Sequence, residues 1–128
     1  MDLLLDTHAL LWALLEPSRL RPEVAAEIAA PHNRVSVSAA SLWEIAIKQS
    51  VGKLELPDQA ELWLPMACRQ VGIGMLPISP EAALAVRKLP WHHRDPFDRL
   101  LVAQASLGFT LVTHDEALRA YGVPILWT

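Results

Sequence analysis

The stretch His92-His93-Arg94-Asp95-Pro96-Phe97-Asp98-Arg99 sets six ionisable side chains directly before the almost wholly apolar run Leu100 to Ala105. A helix start needs one short polar cap, so the surplus points to chemistry. Three further acids stand in comparable places. Asp6 follows the run "LLL", Asp115 comes two residues after "LVT", and Glu44 lies one turn into the helical segment after "RVSVS". In parallel sheets, sites form where strands end and the next helices begin. Four carboxylates from four separate elements would therefore meet at one sheet edge.

Like charges about 5 Å apart repel by roughly 3 kcal/mol at an effective dielectric of ~20. Such a cluster needs cations or raised pKa values to exist. Hard divalent ions with oxygen ligands, Mg²⁺ above all, relieve the repulsion and leave room for water and phosphate oxygens. The chemistry that follows is attack of an activated water on a phosphodiester. No His/Cys spacing suggests zinc, and His8 and His114, beside the acids, read as local hydrogen-bonding or capping residues.

Each acid also has a purely local use. Asp6 suits an N-cap. Ser41 and Glu44 have capping-box spacing. Asp95-Pro96 fits N-cap and N1, which puts Asp98 in the first turn, where the helix dipole favours an acid. Asp115 can begin the following helix. It is the four taken together that favour a metal site.

The elements that must position them alternate along the chain. Strands are expected at 2–5, 34–38, 74–79, 110–113 and 124–127. Helices are expected at 7–16, 21–30, 38–53, 58–72 (kinked or split by Pro65), 80–90, 96–107 and 115–122. This pattern predicts an α/β domain around a mostly parallel sheet, one domain spanning residues 1–128.

Composition agrees with a folded core: 52% of residues are hydrophobic and 20% charged, which argues against disorder. No apolar run reaches the ~18 residues of a membrane span. The N-terminus lacks a basic leader, and the single Cys68 cannot form an internal disulfide, so a cytoplasmic protein is expected. The formal net charge of −3 speaks against a globally basic nucleic-acid binder, yet setting aside the four clustered acids leaves +1. Net charge does not exclude a nucleic-acid substrate.

The segments "LLLDTHALLW", "SLWEIAIKQSVGKLEL", "HHRDPFDRLLVAQA" and "LVTHDEALRAYGVPILW", in this order, resemble the PIN-domain nucleases, specifically the VapC-like toxins of bacterial toxin–antitoxin pairs. The resemblance runs from the first strand to the C-terminus. It implies a three-layer α/β/α fold and Mg²⁺- or Mn²⁺-dependent RNA cleavage leaving a 5′-phosphate and a 3′-hydroxyl. It also implies a homodimer and a VapB-like antitoxin lying over the active-site side. By motif it assigns catalysis and metal binding to Asp6, Glu44, Asp98 and Asp115. Thr113 is then a hydroxyl neighbour of the site, while Lys48, four residues after Glu44, either supports the site or forms an ordinary surface pair with that glutamate. Asp95 belongs to the D-P-F-D-R motif and is either the helix cap, which Pro96 at N1 favours, or a further supporting residue of the site.

Arg94, Arg99, His92 and His93 are candidates for the RNA path, since arginine–phosphate contacts supply much nucleic-acid affinity. Against this, Arg99 can pair with Asp95 at i, i+4. Trp43, Leu62, Trp63 and Met66 are either core or a dimer or antitoxin surface. Among rivals, a dehalogenase-like phosphatase needs an acid where His8 stands. A receiver domain needs an aspartate between Asp6 and Asp58, and there is none. The alternative from another class is a noncatalytic PIN-like module that binds RNA or protein.

Overall fold

A computed structural model describes all 128 residues. The five apolar runs become β1 (Asp2–Leu5), β2 (Arg34–Ser38), β3 (Ile73–Leu76), β4 (Thr110–Thr113) and β5 (Ile125–Trp127). They form one all-parallel sheet in the order β3-β2-β1-β4-β5. The helices are α1 (Thr7–Leu15), α2 (Pro22–Ala29), α3 (Ala39–Ser50), α4 (Ala60–Val71), α5 (Pro80–Ala85) and α6 (Pro96–Ala105).

The pleat of β1 sends its leucines to both faces. Leu3 and Leu5 pack with Leu10, Val24, Ile45 and Leu64 from α1 to α4. Leu4 packs on the opposite face with Leu101 and Val102 of α6, Leu111, and Leu118 from the 3₁₀ turn Glu116–Tyr121. Helices on both faces make the expected three-layer α/β/α architecture. They also explain why β2 is buried from Val35 through Ser38 although its Val/Ser alternation reads as half exposed. Each fully buried leucine contributes about 1.5–3 kcal/mol, so the central strands are held firmly.

Strand order reverses at β1: the chain moves from β1 outward to β2 and β3, then returns to place β4 on the other side of β1. The crevice beyond the carboxyl ends of β1 and β4 is the switch point where such sheets bind ligands.

Three local expectations are corrected. Pro65 neither splits nor ends α4, which runs unbroken from Ala60 to Val71. The carbonyl that loses its partner belongs to exposed Glu61 in the first turn, where water can serve it, while Leu64, Ala67 and Cys68 anchor the buried face. Ser41 and Glu44 do not form a capping box. Helix α3 begins at Ala39, capped by Ser38, whose Oγ accepts the Ala40 N–H, and this leaves Glu44 free for other work. The last expected helix is instead the 3₁₀ turn 116–121, closed by Gly122 at φ +73°.

Candidate metal centre

Asp6 follows β1 and caps α1, its Oδ1 accepting the Ala9 N–H at 2.8 Å. Its Oδ2 accepts the Thr113 hydroxyl at 2.6 Å from the end of the neighbouring strand β4. The side chain is buried, and burial raises its pKa. The Thr113 and Ala9 hydrogen bonds and the rings of His8 and His114 oppose that rise.

Glu44 reaches the crevice from the second turn of α3. Its Oε1 accepts the Thr7 hydroxyl and its Oε2 lies 3.1 Å from Lys48 Nζ, one turn further along the helix.

Asp98 stands in the first turn of α6. Asp95, the cap of that helix, accepts the N–H groups of Phe97 (2.8 Å) and Asp98 (3.4 Å) with Oδ1. The Asp98 carboxyl is pushed up to about 7, chiefly by burial and next by the charge of Asp95. Asp6 and Asp115 push the same way and His93 opposes them. A carboxyl among other carboxylates and short of hydrogen bonds favours its proton.

Asp115 caps the 3₁₀ turn, with Oδ1 accepting the Ala117 N–H at 3.0 Å, while the Thr113 hydroxyl oxygen accepts the Asp115 N–H. Its Oδ2 lies 2.8 Å from His93 Nε2, which is also 3.3 Å from Asp98 Oδ2. On the far side of the ring, His93 Nδ1 accepts the Asp95 N–H at 3.0 Å.

The four acids line one cavity of about 310 Å³ together with Thr7, His8, Lys48, Asp95, His114 and Glu116, none of them hydrophobic. Oxygen donors dominate it, as Mg²⁺ or Mn²⁺ requires. A carboxyl titrating near neutrality for want of positive charge is what a cation would relieve. The donor set therefore fits a hard divalent ion. A larger cleft of about 560 Å³ between α3 and α4 is lined by apolar and amide groups such as Trp43, Leu64, Met75 and Gln59 and holds no comparable constellation.

The arginines and histidines of the opening motif divide. Arg99 does not join an RNA path, nor does it pair with Asp95: it is 2% exposed. Its guanidinium donates to the carbonyls of Val86, Leu89 and Pro90 and to the Tyr121 hydroxyl, and stacks 3.8 Å from the Trp91 ring centroid. The carbonyls of Leu89 and Pro90, which lie outside any strand or helix, together with that of Val86 at the start of a 3₁₀ turn, draw the cation inward. His93 likewise faces the acids rather than solvent. His92 is exposed and packs on Tyr121. Arg94 is exposed and shares a cleft of about 490 Å³ with Lys48, Glu44 and Phe97, open beside the acids.

His8 and His114 pack on each other and on Trp12 at the cavity rim. Trp43, Leu62 and Met66 are exposed, whereas Trp63 packs against the core. Thr7 and Tyr121 are partners that sequence reasoning missed. Thr7 carried one signal, its place beside Asp6; Tyr121 carried none.

Residues 3–124 match the PIN domain, and the chain belongs to that family. Ribonuclease VapC22 of Mycobacterium tuberculosis is 34% identical over 124 residues, 94% of this chain and 92% of that protein. The crystal structure of VapBC2 from Rickettsia felis, bound to a DNA fragment from their promoter, contains a chain that superposes with a TM-score of 0.73. That match has 17% identity and covers 99% of this chain and 98% of that one. The structure of FitAB bound to an IR36 DNA fragment gives 0.61 at 19% identity, covering 98% and 94%. At these identities the two structures speak to the fold alone.

Proposed function

We propose that the chain is a divalent-metal-dependent endoribonuclease of the VapC kind, the toxin of a toxin–antitoxin pair. The observation that carries this reading is the convergence of Asp6, Glu44, Asp98 and Asp115, each from a different element, on one cavity without apolar lining. The likeness to Ribonuclease VapC22 over nearly the whole chain supports RNA as the substrate.

In this reading the four carboxylates hold Mg²⁺ or Mn²⁺. The ion, when bound, supplies positive charge for the phosphate oxygens and acidity for the attacking water. The chain supplies the rest. Thr113 and Thr7 fix the rotamers of Asp6 and Glu44, so those oxygens are oriented before the substrate arrives. Lys48 and Arg94, along the cleft beside the cavity, meet backbone phosphates. The products are a 5′-phosphate and a 3′-hydroxyl.

In this reading, which rests on the likeness to Ribonuclease VapC22, the partner is a VapB-like antitoxin. The exposed apolar cleft between α3 and α4, with Trp43 and Met75, has the character to receive it. A homodimer completes the reading. No helix is long and apolar enough to cross a membrane, and the toxin reading places its action in the cytoplasm, where its RNA substrate is.

The test is incubation of wild type and Asp98→Asn with a mixed RNA pool in Mg²⁺, Mn²⁺ or EDTA, with the cut ends mapped. Metal-dependent cuts by wild type alone support the nuclease. Cuts that persist in EDTA or in the variant overturn it.

A further inference from the structure

His93, Asp98 and Asp115 each present a potential ligand atom within 4.8 Å of the others, and on distance alone the imidazole would count as a metal ligand. The hydrogen bonds say otherwise. Nδ1 accepts the Asp95 backbone N–H, so its lone pair is engaged and it carries no proton. In the neutral ring the proton then resides on Nε2, the atom that faces Asp115 Oδ2 and Asp98 Oδ2. Nε2 donates to Asp115 Oδ2 at 2.8 Å, lies 3.3 Å from Asp98 Oδ2 without a hydrogen bond to it, and has no lone pair to offer an ion.

The ring is also held from behind. The backbone N–H of His93 donates to the Tyr121 hydroxyl at 3.0 Å, and that hydroxyl receives Arg99 Nη1 at 3.3 Å. Arg99 in turn gathers the carbonyls of Val86, Leu89 and Pro90, which fixes the loop that carries His93. The buried cation of α6 and the 3₁₀ tyrosine thus reach the acids through one imidazole.

We propose that His93 is a positioning residue of the acidic site, an N–H donor that orients Asp115 of the 3₁₀ turn while its ring sets the spacing to Asp98 of α6, and that Tyr121 and Arg99 lock it in that role. The inference rests on the metal-site reading above and concerns the groups that orient its carboxylates. Partners of ligating carboxylates commonly govern metal affinity by about 10–100-fold.

Two measurements test it, neither of which needs catalysis. Long-range ¹H–¹⁵N correlation spectra of the metal-free protein at pH 8 read the tautomer of His93 directly. The expected result is a proton on Nε2, and a proton on Nδ1 overturns the proposal. Titration with Mn²⁺ and with Co²⁺ by calorimetry then compares wild type, His93→Ala, His93→Gln and Tyr121→Phe.

For a positioning donor, His93→Ala weakens both metals by a similar factor, about tenfold. His93→Gln, which keeps an N–H at the Nε2 position, recovers most of that loss, and Tyr121→Phe falls between. Unchanged or tighter binding by His93→Ala overturns the proposal. So does a loss confined to Co²⁺, which would make the imidazole a ligand. If wild type binds neither metal, the metal-site reading fails, while the tautomer still reports on His93.

Discussion

Thr113 donates its hydroxyl hydrogen to Asp6 Oδ2 across 2.6 Å, joining the carboxyl ends of the two central strands that flank the crevice. Both residues are buried, so this bond fixes one face of the acidic cavity from inside the sheet. Thr113→Val keeps the shape and removes the donor. The expected result is a further rise of the Asp6 pKa, a loss of about 1–3 kcal/mol in stability at neutral pH, and Mn²⁺ affinity and cleavage lowered about tenfold. Thr113→Ser should retain both. Calorimetric Mn²⁺ titration of the two variants decides it, and equal affinity in Val and Ser would refute a role for the hydroxyl.

Asp98 makes the metal-free protein sensitive to pH. Its folded-state pKa, about 7, lies above the ordinary 3.8, so the folded state holds the proton more tightly than the unfolded one. The stabilisation this gives is complete below pH ~3.8 and is lost as pH rises through 7. The side chain is 25% exposed, and after allowance for solvent screening the loss is about 1–2 kcal/mol. Without metal, wild type should therefore melt several degrees lower at pH 8 than at pH 5.5, relative to Asp98→Asn. Added Mg²⁺ should close the gap at pH 8 for wild type only. Parallel melting curves for the two proteins would contradict this.

The two arginines of the motif should behave oppositely. Arg99→Leu leaves the Leu89 and Pro90 carbonyls without their side-chain donor, removes one of two donors from the Val86 carbonyl and the Tyr121 hydroxyl, and should cost about 3 kcal/mol or more. Arg99→Lys should recover only part, because a single ammonium cannot reproduce the planar fork or its stacking on Trp91. Arg94→Ala should leave the melting temperature unchanged and lower the salt dependence of RNA binding by about one ion. Fluorescence anisotropy with the cleavage-deficient Asp98→Asn background, over a series of salt concentrations, measures the second effect. An unchanged slope would remove Arg94 from the RNA path.

What the sequence discloses and what it hides follow from the range of the interactions. The strands and most of the helices are local patterns, and the strand-end positions of Asp6 and Asp115 come with them. The order β3-β2-β1-β4-β5 extends the parallel pattern. Arg99 was misread because Asp95, the acid four residues before it, is engaged with its own helix N–H groups, while the acceptors that bury the guanidinium lie 9 to 13 residues back, between Val86 and Pro90. The inward turn of His93 was hidden in the sequence because it depends on Tyr121, 28 residues away. For α3, two serines of equal capping propensity compete, and the length of β2 decides in favour of Ser38.

Asp95 separates a cap from a ligand most cleanly. Its Oδ1 serves two N–H groups of α6, and its charge is the second cause of the raised Asp98 pKa. Asp95→Asn keeps a good cap, since asparagine accepts the same hydrogen bonds, and removes the charge. The expected outcome is cleavage within a few-fold of wild type, with its acid limb moved to lower pH because Asp98 ionises more readily. Asp95→Ala should instead cost about 1 kcal/mol of stability from the lost cap. A pH–rate profile for Asp95→Asn reads both points at once. If that variant loses cleavage at every pH while Mn²⁺ binding also collapses, Asp95 holds the metal, and the cap is the lesser of its two functions.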